Sequence, residues 1–195
     1  MRGPFRYATE AIVLRTIAFA ETSQVVHLAT PDHGLVAALA KGARRPGPAF
    51  QGGLVLGTRG VAELTRRPRA ELELLRRFRQ RTAVRAAGSD LDRYYAACYV
   101  LDLLRAFFRP ALPNPALYRA GRTALAAALQ APLDALPAWM VLFEARAVDA
   151  TGHRPRLDAC AACGGTRGPL AWFSPPAGGL VHVTCLPPGP RRRLA

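Results

Sequence analysis

The sequence predicts an α+β protein in three parts: a small closed β-barrel, a central bundle of helices, and a compact cysteine-bearing module. Three observations predict this. Short runs rich in Val, Ile and Leu, separated by turn signals, occupy roughly the first 80 residues. Apolar residues then recur at spacings of three and four between about 90 and 150. Beyond 153, Gly, Pro and three of the four cysteines gather together. At 195 residues the chain can bury a sizeable core without disulfides.

The strand runs are AIVLRTI, SQVVHLAT, LVAALA and LVLGTRGVAEL. Asp32-His33-Gly34 reads as a tight turn, because Gly34 takes a positive φ without strain. ELELLRRFRQ, which follows Pro68, reads either as a fifth strand or as the start of a helix. About five short strands in this length suggest a closed barrel.

In LDRYYAACYVLDLLRAFF, residues Leu91, Tyr94, Tyr95, Cys98, Leu101 and Leu104 (or Leu103) fall on one helical face, which places Cys98 in the core. Ser89 or Asp90 caps its start and Pro110 ends it. Asn114-Pro115 opens a second helix that closes near Pro132, and Pro137 opens a third with Gly152 at its end. The domains are expected at 1–82, 83–152 and 153–187, with a flexible basic tail at 188–195.

The cysteines follow C-x2-C-x18-H-x2-C, as Cys160, Cys163, His182 and Cys185. Two such pairs at this separation fit a tetrahedral zinc ribbon, because each tight turn presents two ligands to one ion. Thiolates and imidazole suit Zn2+, and a ribbon with little core takes much of its folding energy from the metal. No H-x-E or H-E-x-x-H pattern accompanies the cluster, so a closed structural site is expected rather than a catalytic one.

Charge bears on partners. Lys plus Arg number 27 and Asp plus Glu 13, a net +14, and Lys41 is the sole lysine. The excess is +9 in residues 1–85, zero in 86–150 and +5 in 151–195. Such a balance suits a polyanion, either nucleic acid or an anionic membrane surface. No apolar run reaches the length of a membrane span and no secretory signal is evident, so a cytoplasmic protein is expected. Asp90-Leu91-Asp92 is the nearest approach to a two-metal carboxylate pair, and a helix start accounts for it, so no enzyme is expected. No Walker motif is present.

The stretch AIVLRTIAFAETSQVVHLATPDHGLVAALAKGARRP resembles the N-terminal domain of the RecO family of bacterial recombination mediators. The segments FEARAVDATGHRPRLDACAACG and FSPPAGGLV resemble the same family's run into its zinc ribbon. That resemblance implies an OB-fold barrel, a helical domain and a zinc ribbon associated with it, in a nucleoid-associated protein. It implies binding of single- and double-stranded DNA, annealing of complementary strands, and partnership with RecR. It further implies action on strands coated by single-strand-binding protein, engaged through that protein's acidic C-terminal tail, with RecA loaded indirectly. The chain departs from the family pattern at His182, where a cysteine is usual, and in ending soon after the ribbon, where more helix usually follows.

On DNA, the expected phosphate-tracking residues are Lys41, Arg44, Arg45, Arg66, Arg67, Arg69, Arg76, Arg77, Arg79 and Arg81, with Phe50 and Phe78 as candidate stacking platforms, ordinary core packing being the other and favoured reading of each aromatic. Three other readings share these features: an RNA-binding or ribosome-associated protein, a zinc-dependent nuclease or deaminase, and a scaffold for acidic protein tails.

Overall fold

A computed structural model describes residues 4–45, 47–50, 54–82, 90–166, 168–186 and 192–193. Two compact units divide at Ala147/Val148.

Five strands build the first unit's sheet: β1 Phe5–Phe19, β2 Ser23–Thr30, β3 Gly34–Ala40, β4 Arg59–Arg66 and β5 Glu73–Thr82. They close in the order β1-β2-β3-β5-β4, and β4 returns to β1. Closure depends on the length of β1. Its first half, Phe5–Ile12, pairs with β4, and its second half pairs with β2 across an irregularity between Val13 and Arg15. One strand thereby borders two neighbours and no sheet edge is left there. The remaining seam is parallel, with Ala38 opposite Glu73 and Ala40 opposite Leu75.

The barrel core holds Val13, Val26, Leu28, Leu64, Leu75 and Phe78 among others. ELELLRRFRQ resolves as a strand, because Leu75 and Phe78 reach this core while Arg77 and Arg79 face outward. β4 begins at Arg59 rather than at Leu54. Leu54 is buried from a loop, and Gly57 turns the chain at φ 74°.

The β2–β3 turn forms at Asp32–Gly34. Gly34 sits at φ 67°, the Thr30 hydroxyl donates to its carbonyl, and the His33 amide donates to Thr30 Oγ1. A Cβ at Gly34 would come under 3.0 Å from the carbonyl oxygens of Arg109 and Leu112. Gly34→Ala is therefore expected to destabilise this unit by about 2–3 kcal/mol, from left-handed strain and backbone overlap together. Urea denaturation checks this.

Helix α1, Leu91–Phe107, is capped by the Asp90 carboxylate, which accepts from the Asp92 and Arg93 amides. Ser89 lies outside the described residues. The buried stripe of α1 is Ala97, Val100, Leu101 and Leu104. This corrects the sequence reading: Leu91, Tyr94 and Tyr95 are exposed and Cys98 is only half-buried. The reason lies in α2, Pro115–Gln130, where Gly121 admits the Leu104 side chain at close range and rotates the packed face toward Leu104. Helix α3, Leu136–Ala150, is joined to α1 by a hydrogen bond from the Tyr99 hydroxyl to Glu144 Oε1.

In the second unit, β6 Leu170–Ser174 lies between β7 Gly179–His182 and β8 Arg192–Arg193. Of the expected flexible tail, Arg192 and Arg193 form β8, and 188–191 and 194–195 lie outside the described residues. No described helix is long and apolar enough to cross a membrane.

Candidate metal centre and nucleic-acid surface

The four sulfur and nitrogen donors of Cys160, Cys163, His182 and Cys185 lie within 4.8 Å of one another. Local backbone structure places each of them. The Gly164 amide donates to the Cys160 carbonyl and the Cys160 amide to the Gly165 carbonyl, which folds the first pair into a tight knuckle. Gly164 takes φ 73° in that knuckle. His182 ends β7, and Cys185 sits in the following 3₁₀ turn, Val183–Cys185. The Ala161 amide donates to the Leu180 carbonyl and ties the two halves together.

His182 Nδ1 stands 3.6 Å from Cys163 Sγ and 3.9 Å from Cys185 Sγ. Zinc–ligand bonds of about 2.0 Å to nitrogen and 2.3 Å to sulfur give tetrahedral edges of roughly 3.5–3.8 Å, so these spacings suit one ion. His182 Nε2 is buried and has no hydrogen-bond partner among the described residues. Burial pushes the Cys160 thiol up, but the backbone groups of Cys163, His182 and Ala162 outweigh it and hold the thiol at about 6. A cysteine held there is already largely the thiolate a metal needs. Cys185 is pushed up instead, first by its hydrogen bond with Cys163 and then by burial. The donor set therefore fits a metal ion, with thiolate and imidazole ligands of the type zinc takes.

All ten basic residues singled out from the sequence are exposed, and all belong to the barrel unit. The register of β3 against β5 brings some of them together. Ala40 opposite Leu75 sets Lys41 level with Arg76, so the turn after β3 adjoins the outer face of β5. That turn is firmly held. Ala43 packs into the core, the Arg44 amide donates to the Thr22 carbonyl, and Gly42 takes φ 70°. Its exposed Lys41, Arg44 and Arg45 are thus carried on a fixed backbone. The turn after β4 places Arg67 and Arg69 at the other end of β3.

Three of the ten are paired. Arg66 meets Glu73 at 2.8 Å, Arg79 meets Glu63 at 2.9 Å, and Arg81 meets Glu10 at 3.0 Å. The remaining seven have no carboxylate within 4.0 Å among the described residues. These seven are the stronger phosphate candidates, since a guanidinium already bound to carboxylate must give up that bond first. Arg76 and Arg81 are the extra residues where β5 bulges against β4, between Leu75 and Arg77 and between Gln80 and Thr82.

Phe78 is not a stacking platform. It is 2% exposed and sits in the barrel core, because it alternates inward between the outward Arg77 and Arg79. Phe50 is half-buried against the same core. Phe78→Leu is expected to cost about 1–2 kcal/mol of stability and to leave single-strand affinity unchanged, as thermal unfolding and oligonucleotide titration would show. Two aromatics of the described barrel strands do reach the surface, although no sequence motif marks them. Phe5 and Phe19 are 59% and 52% exposed. In the second unit Arg154 lies 4.0 Å from Asp149.

The family model Recombination protein O N terminal matches residues 1–82, and Recombination protein O C terminal matches residues 88–193. A protein of Rhodopirellula baltica named DNA repair protein RecO is 34% identical over 180 residues, covering 91% of this chain and 66% of the relative. A protein of the same name from Anaeromyxobacter sp. (strain Fw109-5) is 34% identical over 187 residues, covering 93% and 71%. Another, from Myxococcus xanthus, is 32% identical over 200 residues, covering 96% and 75%. The chain thus spans from 66% to 75% of the length of these relatives.

Proposed function

This chain belongs to the recombination protein O family, and from that premise we propose that it is a non-enzymatic DNA-binding protein of recombinational repair. It binds single- and double-stranded DNA and anneals complementary strands. With RecR it helps load RecA onto strands coated by single-strand-binding protein. The barrel acts as an OB-fold, the helices as a bundle, and the Cys160–Cys163–His182–Cys185 module as a zinc ribbon whose ion is structural. The relatives carry the name DNA repair protein RecO.

The observation that carries this reading is the set of seven barrel cations without carboxylate partners among the described residues. Complementary strands repel each other through their phosphates. A surface that neutralises phosphates on both strands lowers that repulsion, and base pairing supplies the free energy, so no nucleotide hydrolysis is required. Phosphate contacts carry no sequence information, so sequence preference is modest.

Titration of the zinc-loaded protein with labelled single-stranded and duplex oligonucleotides tests this. Affinity is expected to fall by at least about tenfold between roughly 50 and 200 mM salt, with little difference between sequences. Strong preference for one sequence together with a flat salt response would overturn it.

A further inference from the structure

One face of β1 carries more aromatic surface than the barrel can bury. Val13, Ala11 and Thr9 are buried along it. Two residues further on, the same alternation continues as Tyr7 and then Phe5. Tyr7 is half-buried against the core, whereas Phe5 is exposed. The Phe5 ring stacks on Tyr7 with centroids 5.8 Å apart and planes 19° apart, and Tyr7 meets His33 at 4.2 Å. Three rings therefore form a ladder, Phe5–Tyr7–His33, whose middle ring rests against the barrel core and whose Phe5 end lies at the surface.

The ladder is held in place from one side. The Tyr7 hydroxyl donates to Glu73 Oε2 at 2.6 Å, Arg66 Nε donates to Glu73 Oε1 at 2.8 Å, and the Arg66 guanidinium lies over the Tyr7 ring at 5.5 Å. Arg66 is thus a positioning residue, its charge met by Glu73. Phe5 and His33 line a groove of about 1120 Å³ that Arg66, Arg67, Arg69, Glu71 and Glu73 also line. With Glu73 engaged by Arg66, the charge left in the groove is that of Arg67 and Arg69 against Glu71. Neither arginine has a carboxylate within ion-pair distance among the described residues. Arg69 projects from a left-handed backbone at φ 65°.

An exposed ring on a rigid aromatic support, beside unpaired guanidinium groups, is the chemistry that takes a nucleobase with its phosphates. Resting on the reading of the barrel as a single-strand binder, we propose that this groove is a base-stacking subsite. One base of single-stranded DNA lies against Phe5, and its flanking phosphates meet Arg67 and Arg69. Duplex DNA keeps its bases stacked inside the helix and does not use Phe5.

The test compares the zinc-loaded full chain and its variants on labelled oligothymidine and on an abasic oligomer of equal length, by fluorescence anisotropy. The wild type is expected to bind the thymidine strand about tenfold more tightly. Phe5→Ala removes that preference and leaves the abasic affinity, the duplex affinity and the salt dependence as they were. Phe5→Trp retains the preference. Arg67→Ala with Arg69→Ala weakens both strands alike and flattens the salt dependence by about 1.4 in log–log slope. Persistence of the preference in Phe5→Ala, or its equal loss of affinity for both strands, would overturn the subsite. A wild type that binds both strands without preferring bases overturns the subsite alone. A wild type that binds neither strand overturns the DNA-binding reading as well.

Discussion

Stripping the metal with a chelator is expected to unfold the unit Val148–Ala195 and leave the barrel intact. Cys160 and Val181 are the only apolar side chains fully buried among the described residues of that unit, far too little core to hold a fold alone. Structural zinc sites in small modules supply roughly 10 kcal/mol or more of folding free energy. Hydrogen exchange on the two units before and after chelation checks the prediction. Protection should vanish around Cys160–Cys185 and persist in β1–β5. Cys160→Ala should act as chelation does. His182→Cys should keep one metal per chain, because a thiolate replaces one tetrahedral donor with another, whereas His182→Ala should weaken metal retention. Full protection of the second unit in the presence of chelator would mean that protein packing alone holds it.

Replacing Lys41, Arg44 and Arg45 together by alanine is expected to lower single-strand affinity by about 100-fold at low salt. Each phosphate contact on a single strand contributes roughly 0.7 to the log–log salt slope, so the slope should fall by about 2. The backbone of this turn is held by Ala43 and by the Arg44 amide, neither of which depends on the three side chains removed. Melting temperature should therefore stay unchanged. The double variant Arg79→Ala with Arg81→Ala provides the contrast. Both residues already face carboxylates, Glu63 and Glu10, so their loss should affect binding much less.

Much of this was legible in the sequence, for identifiable reasons. The C-x2-C and H-x2-C pairs predicted one cluster because each ligand pair is local, and the structure brings all four donors together. The turn at Gly34 and the cap at Asp90 were legible because each rests on one residue's own chemistry. What depends on residues far apart was hidden. Glu63 and Glu10 lie 16 and 71 positions from the arginines they meet, so no local pattern separates the paired cations from the unpaired ones. Phe78 reads from the sequence either as core or as a platform among arginines, and only the pairing of β5 with β4 fixes its inward side. The first turns of α1 read as amphipathic, yet Tyr94 and Tyr95 are exposed because the contact with α2 lies one helical face away. Phe5 and Tyr7 precede the strand as read from Ala11, since the polar Thr9 falls on their inward face and interrupts the apolar run between Tyr7 and Ala11.

On the proposed reading, barrel cations without carboxylate partners among the described residues hold polyanionic strands without cutting them. Annealing of two complementary labelled oligonucleotides by the zinc-loaded protein, with Mg2+ present and no nucleotide, measures this most directly. The predicted result is faster duplex formation at low salt, a steep loss of acceleration as salt rises, and strands recovered at full length. An annealing rate equal to that of the strands alone at low salt, or the appearance of cleaved strands, would contradict it.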